Sequence, residues 1–254
     1  MASGRTELSV VVPFYDEMHR LDATLPAIVA LATDDTEVIL VDDGSTDGTG
    51  AALDAAATAR GVRVVHLLRN QGKGAAVRAG IGASMGRIVM YMDADLATDL
   101  ADVPRLTAAL AGADVAVGSR AASAADVRDA TWARTHMGIM FNRAVRLATG
   151  LELLDTQCGF KAFRGELGRT LFAHTHVDGF AFDVEVLMLA REIGARMIEV
   201  PVEWTEQPGS KVRLTKDPLL MLFDLVRIRR RVRATARAVA PGHSLTSVSL
   251  NEIS

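Results

Sequence analysis

Two apolar runs, each closing on a pair of acidic residues, limit what this chain can become. Val38-Ile39-Leu40-Val41 runs into Asp42-Asp43-Gly44-Ser45, and Ile88-Val89-Met90-Tyr91-Met92 runs into Asp93-Ala94-Asp95. Short apolar runs with β-branched members, bounded by turn residues, read as buried strands. An acidic residue after such a strand is ordinarily a helix N-cap or a solvated turn residue, and one pair alone would mean no more than that. Two parallel strands that both deliver carboxylates to their C-terminal ends are how an open α/β sheet lines a nucleotide crevice. Asp93 and Asp95 stand one residue apart, so both can approach one hard cation. Mg²⁺ and Mn²⁺ favour carboxylate, water and phosphate oxygens, which suits a metal shared with a diphosphate.

The rest of the first half repeats this alternation. Leu8 to Pro13 reads as a first strand and Arg20 to Ala32 as a helix. Glu37 to Val41 is a second strand, Thr46 to Arg60 an Ala-rich helix, and Val62 to Leu67 a third strand. The turn Asn70-Gln71-Gly72-Lys73-Gly74 opens a helix through Ser84, and Arg87 to Met92 is the fourth strand. Such a β-α-β-α order predicts a mostly parallel sheet covered by helices on both faces. A helix over Val103 to Ala111 and a strand over Asp114 to Gly118 follow, the latter ending in Gly118-Ser119-Arg120. Beyond it the pattern loosens. Ala121 to Asp129 reads as a mobile connector and Thr131 to Thr149 as a long helix. Strands are expected over Thr156 to Phe163 and Ile198 to Trp204, with a helix over Asp183 to Ile193 between them. Pro218 to Ala240 reads as a last, amphipathic helix.

Bulk properties exclude several classes. With 254 residues and 49% hydrophobic content the chain can bury a sizeable core. A net charge of −3 leaves no basic excess for phosphate neutralisation, so no nucleic acid is expected as partner. Six arginines nevertheless crowd one segment, at 227, 229, 230, 231, 233 and 237. Set beside the apolar residues from Leu219 to Ile228, they suit either packing on the core or contact with an anionic membrane surface. The single cysteine, Cys158, excludes an intrachain disulfide and fits a reducing compartment. No signal-like or membrane-spanning apolar run is visible, so the expectation is a cytoplasmic protein, peripheral on the cytoplasmic face of the membrane.

Other segments carry chemistry less openly. The glycine-rich turn at Asn70–Gly74 is neither a P-loop nor a full dinucleotide fingerprint, but it lets backbone approach a ligand, with Lys73 at the helix start. Arg120, if beside a metal-bound diphosphate, would add a planar donor set. Asp155 to Lys161 reads as a capped turn holding a buried, inert cysteine. Phe182-Asp183-Val184-Glu185 places carboxylates at a helix start, where capping explains one of them. Trp204 to Lys211 reads as a loop with a cation at its tip.

Together these residues resemble family 2 glycosyltransferases of the GT-A nucleotide-diphospho-sugar transferase fold. Val12-Pro13-Phe14-Tyr15-Asp16-Glu17 looks like the opening nucleotide motif, with Asp16 where the family commonly has Asn. Asp42 to Ser45, Asn70 to Gly74, Asp93 to Asp95 and Gly118 to Arg120 follow in the family's order. Asp155 to Lys161, Phe182 to Glu185 and Glu203 to Lys211 look most like the dolichyl- and polyprenyl-phosphate glucosyltransferase branch.

The resemblance implies inverting, metal-dependent transfer of glucose from UDP-glucose to a polyprenyl monophosphate. It implies Asp93 and Asp95 as ligands for Mg²⁺ or Mn²⁺. It assigns Pro13, Tyr15, Glu17, Asp42, Asp43, Ser45, Gly72, Lys73, Asp93 and Ala94 to the nucleotide. Asp95, Arg120, Arg134 and Lys211 would serve catalysis, and Gln157, Lys161, Asp183, Glu185 and Arg213 the acceptor. The expected organisation is a sugar-nucleotide part over 1–120 and an acceptor part with a closing loop over 121–216. A basic amphipathic helix that meets the membrane over 217–240 and a disordered tail over 241–254 complete it. GDP-mannose or UDP-N-acetylglucosamine as donor, a soluble acceptor, and a non-catalytic sugar-nucleotide binder are the alternatives.

Overall fold

Apolar side chains on both faces of β1 (Leu8–Phe14) and β2 (Thr36–Asp42) leave these strands one place to go, the middle of a sheet with helices above and below. The structure, a computed structural model, describes residues 6–59, 61–122, 124–128, 142–143, 145–207, 225 and 227–236. β3 (Val62–His66), β4 (Ile88–Met92), β5 (Val115–Ser119), β7 (Phe160–Arg164) and β8 (Met197–Pro201) complete a seven-stranded sheet of order β3-β2-β1-β4-β7-β5-β8. All pairings are parallel except those of β7, which runs antiparallel between β4 and β5. The order reverses at β1, so the crevice forms where the chain leaves β1, β2 and β4. Because β7 is antiparallel, its start lies at the same edge, with Phe160 beside Met92. β6 (Asp126–Arg128) and β9 (Glu203–Thr205) form a separate parallel pair.

One face of the sheet packs on α1 (Met18–Val29), α2 (Thr49–Ala56) and α4 (Val103–Ala108), around Val10, Val12, Leu21, Ile28, Leu40 and Leu53. The other packs on α3 (Lys73–Ala83), α5 (Gly165–Ala173) and α6 (Phe182–Glu192). There Tyr91, Phe163, Phe172 and Phe182 form an aromatic cluster with ring centroids 5.6–6.4 Å apart. Each ring buried this way contributes roughly 1.5–3 kcal/mol through removal from water.

Several expectations change. The second helix begins at Thr49 rather than Thr46, because Asp47 Oδ1 accepts from the Thr49 amide and Oδ2 from the Met18 amide, which keeps 44–48 as loop. The stretch expected as one strand from Ile198 to Trp204 divides at Val202 between two sheets. The strand expected from Thr156 starts only at Phe160, since the Asp155 side chain accepts from the amides of Gln157 and Cys158 and forms a turn. The connector at Ala121–Asp129 contains β6. Helix α5 had no counterpart in the sequence reading.

In the long helix expected over Thr131 to Thr149, residues 142–143 and 145–149 are helical, and the rest lies outside the described residues. In the last helix, 225 and 227–236 are helical. The rest of that expected helix lies outside the described residues; of those described, Leu225, Ile228, Val232 and Ala236 are buried in the core, whereas Arg227, Arg229, Arg230, Arg231 and Arg233 are exposed. No helix among the described residues is long and apolar enough to cross a membrane.

Candidate active site

Two loops at the crevice hold each other. The Asp16 amide donates to Ser45 Oγ at 3.0 Å, and Asp16 Oδ1 accepts from the Thr46 amide at 2.7 Å. The Glu17 amide donates to Thr49 Oγ1 at 2.9 Å. Asp16 sits at φ 47, a left-handed conformation that Asn and Asp tolerate best among residues with a side chain. An Asp therefore fits this turn with little backbone strain. Its charge also disfavours ionisation of the neighbouring Tyr15 phenol. Pro13 pairs with Val41, and the register of β1 ends one residue later where Phe14 meets Asp42. Glu17 is tied to Arg20 Nε at 2.7 Å.

The two carboxylates after β2 diverge. Asp42 is buried and turned toward α2, where Oδ1 accepts from the Ser45 amide at 2.9 Å and Oδ2 lies 3.0 Å from His66 Nδ1. Burial opposes its ionisation, but these bonds more than offset that and hold the group below the usual carboxylate range. Asp43 turns the other way and accepts from Asn70 Nδ2 and the amides of Gln71 and Gly72 at 2.8–3.1 Å. Burial raises it, the amide bonds acting against the rise. Asp43 thus organises the glycine-rich turn, where Gly72 adopts φ 102, a value only glycine takes easily. His66 was absent from the sequence-predicted set. Its only signal there was a polar residue at the end of an edge strand.

Beside this turn Lys73 Nζ lies 2.5 Å from Asp93 Oδ1. Burial works against the ammonium, yet Asp93 and then Asp183 keep it firmly protonated. Asp95 Oδ1 accepts from the Ala97 amide at 3.0 Å, and Arg20 stands 4.0 Å from Oδ2. Burial first, and then the Asp93 charge, raise Asp95. Ala94 between them is buried in the core.

The donor set fits a hard divalent cation. Two part-exposed carboxylates already attract cations, the Lys73 ammonium at Asp93 and the Arg20 guanidinium at Asp95. A Cβ placed on Gly159 would come within 2.2 Å of Asp93 Oδ2, so glycine keeps the space beside this carboxylate open. Among the described residues no cluster of three or more His, Cys, Asp and Glu could complete the coordination. The other positions would fall to phosphate and water oxygens, as Mg²⁺ and Mn²⁺ accept.

Arg120 leaves the end of β5 and meets Asp155 through Nε at 2.7 Å and Nη2 at 3.0 Å, with its guanidinium 5.4 Å from the centre of the Trp204 ring. Burial raises the Asp155 carboxyl, but the guanidinium overrides this and holds it at about 2. Gln157 is half-buried in the same turn, and burial pushes the Cys158 thiol up to about 12, which makes it inert.

Three residues expected at the acceptor are turned inward. Lys161 and Asp183 are both buried; the Lys161 ammonium donates to Asp183 and, at 2.6 Å, to the Cys158 carbonyl, and Tyr91 also donates to Asp183. Glu185, 1% exposed, accepts from the amides of His176 and Val177 at 2.8 and 2.7 Å. These groups support the site from below, because no part of them is open to a substrate. Arg134, Lys211 and Arg213 lie outside the described residues.

A family model described as Glycosyl transferase family 2 matches residues 9–172. Among curated proteins, the chain is 39% identical to a dolichyl-phosphate beta-glucosyltransferase of Drosophila melanogaster, across 83% of this chain and 70% of that protein. It is 37% identical to the Homo sapiens protein of that name, across 90% and 76%. Among solved structures it resembles glucosyl-3-phosphoglycerate synthase from Mycobacterium tuberculosis in complex with Mn²⁺, UDP-glucose and phosphoglyceric acid. The TM-score is 0.65, at 22% identity across 90% of this chain and 80% of that one, a likeness of fold. With its sheet order and acidic crevice of the GT-A kind, the chain belongs to glycosyl transferase family 2 and is a glycosyltransferase.

Proposed function

We propose that this protein transfers glucose from UDP-glucose to a polyprenyl monophosphate of the dolichyl type, giving the β-linked polyprenyl-phosphate glucose and UDP. The observation that carries this reading is the agreement of the curated relatives over nearly the whole chain, the part beyond β5 included. The crevice supports it with an acidic pair, a lysine on that pair, and an arginine at the end of β5.

A phosphate oxygen of the acceptor attacks the anomeric carbon as the bond to UDP breaks, and UDP leaves with the electron pair. The acceptor needs no base, since a phosphomonoester has a second pKa of about 6 and is already anionic at neutral pH. Asp43 and Ser45, with the loops they anchor, form the nucleotide side, and Gly72 lets backbone come close. Asp93 and Asp95 would hold Mg²⁺ or Mn²⁺, which when bound neutralises charge on the leaving diphosphate. Lys73 and Arg120 supply fixed cationic donors, so catalysis rests on positioning and charge stabilisation. Arg134 and Lys211 are proposed as further cations and Arg213 as an acceptor contact. Gln157 is proposed at the acceptor side of the same turn.

The exposed arginine face of residues 227–233 would rest on an anionic membrane surface by charge, because its apolar side is packed inward. The attachment is proposed on the cytoplasmic face, whose leaflet carries the anionic lipids.

The test is transfer of labelled sugar from UDP-glucose, GDP-mannose and UDP-N-acetylglucosamine to a polyprenyl phosphate, with Mg²⁺, Mn²⁺ or EDTA. Metal-dependent label in the organic phase from UDP-glucose alone is expected. Label on no lipid from any donor would sink the reading.

A further inference from the structure

The Asp155 carboxylate, 1% exposed, accepts five hydrogen bonds. Two come from the Arg120 side chain, at 2.7 and 3.0 Å, and a third from the Arg120 amide at 3.1 Å. The remaining two, from the amides of Gln157 and Cys158 at 3.0 and 3.1 Å, close the turn. Glu199 holds the same turn from behind, accepting from the amides of Leu154 and Asp155 at 2.9 and 3.0 Å.

A buried ion pair is a poor device for stability, since removing two charges from water costs about as much as their attraction returns. What it does supply is direction. Nε and Nη2 of Arg120 are fixed by Asp155 and one face of the guanidinium lies toward Trp204. Nη1 has no hydrogen-bond partner among the described residues, so its donors remain for a ligand. The turn that fixes Arg120 also runs into Gly159, whose α-carbon abuts the Asp93 carboxylate. One carboxylate therefore sets both the arginine and the distance from it to the acidic pair.

We propose that Asp155 is a positioning residue for the transfer step. It holds two nitrogens of Arg120 so that the third is presented, as a directed donor, to an oxygen of a phosphate group in the crevice. This rests on the phosphate-binding role of Arg120 given above. Asp155 also cancels the net charge of Arg120, so Arg120 contributes geometry more than long-range attraction. Loss of Asp155 should therefore reduce turnover and leave donor affinity nearly intact.

The experiment is steady-state transfer from UDP-glucose to polyprenyl phosphate with Mn²⁺ for Asp155→Asn, Arg120→Lys and the double variant. UDP–Mn²⁺ binding by calorimetry and thermal melting accompany it. Asp155→Asn is expected to lower kcat about 30–100-fold, with KM for UDP-glucose and UDP affinity within about threefold. Arg120→Lys should lose a similar factor, since a lysine cannot reproduce the fork. The double variant should be no worse than Arg120→Lys within about threefold, the signature of two residues acting as one unit.

Multiplying losses, or a lowered melting temperature with kcat intact in Asp155→Asn, would overturn the proposal. Full turnover by Arg120→Lys would remove the Arg120 role and the Asp155 role together. Failure of the unmodified protein to turn over any donor would instead strike the glucosyl-transfer reading itself. Should Asp155→Asn not fold, Trp204→Leu tests the same clamp from the half-buried side. A fall in kcat of about three- to tenfold is expected, absent in the Arg120→Lys background, and its persistence there would count against the proposal.

Discussion

On the side of β1, β2 and β4, the carboxylates after β2 are buried and bonded internally, but those after β4 have space in front of them. Asp93 and Asp95 keep side-chain exposures of 38% and 29%, and the cations nearest to them are Lys73 and Arg20. Across β7 the arrangement inverts. Asp155, Asp183 and Glu185 are buried, and each is matched inside the protein by Arg120, by Lys161 with Tyr91, or by backbone amides. The first region leaves negative charge for a cation and a nucleotide to satisfy. The second has satisfied its own charge and uses it to hold shape. The register pair Met92 and Phe160 joins the two regions, so a change in the turn before β7 is felt at the acidic pair after β4.

The comparison breaks most sharply at Asp95. Asp95→Asn removes half of the open acidic pair, and turnover should fall at least roughly a hundredfold, on the order of 3 kcal/mol of transition-state stabilisation. Melting should hardly change or rise slightly, because a raised, part-buried carboxylate beside Asp93 is a cost to the fold when no cation is bound. On the inward side the opposite holds. Lys161→Met leaves Asp183 buried without its cation, and should cost about 3–5 kcal/mol of stability. That corresponds to a fall in melting temperature of about 6–20 °C. Restoring much of this stability in Lys161→Met with Asp183→Leu would confirm that the pair is matched internally. Equal stability of the single variant would show that Lys161 is not needed to hold Asp183.

The seam between the regions is tested by Gly159→Ala. A Cβ there would stand 2.2 Å from Asp93 Oδ2, so the carboxylate or the turn must move. Metal-supported UDP binding, read by calorimetry, should weaken roughly tenfold or more while helix content is kept, since small displacements at a site cost catalysis and binding heavily. Unchanged binding would mean that the two regions are independent.

Much of the first region was legible in the sequence because its signals are local. An apolar run gives the strand, the residues after it give the crevice, and each strand in order does the same. The alternation from Leu8 to Met92 is found with boundaries shifted by only a few residues, and the later start of α2 has a side-chain cause in Asp47. The second region depends on contacts distant in sequence. Asp155 reads as a turn residue until β5 brings Arg120 to it across 35 residues, and Lys161 reads as a cation until Asp183 meets it from 22 residues away. Alternation of side chains along β7 places Lys161 on the face of the aromatic cluster, not toward the crevice. Among the described residues of the last helix, burial recurs at Leu225, Ile228, Val232 and Ala236, but a hydrophobic stripe does not say what covers it. Here it is the protein's own core.

The smallest expected effect concerns His66, which belongs to the open side yet behaves like a piece of the closed one. Its two ring nitrogens lie 3.0 Å from Asp42 Oδ2 and 2.9 Å from Asp54 Oδ1. A neutral imidazole has one N–H and can donate to only one of them, so the pair of contacts calls for the imidazolium. Hydrogen bonds to Asp54 and then Asp42 accordingly raise its pKa. Since the folded value lies above the unfolded one, the stabilisation is complete below about pH 6.5 and fades as pH rises through the folded value. With the ring partly exposed the effect is modest. Melting from pH 6 to pH 9 should show a small alkaline loss in the unmodified protein that His66→Gln lacks, the variant being the less stable of the two at pH 6. Identical pH profiles for the two proteins would show that the imidazolium is not what ties Asp42 to α2.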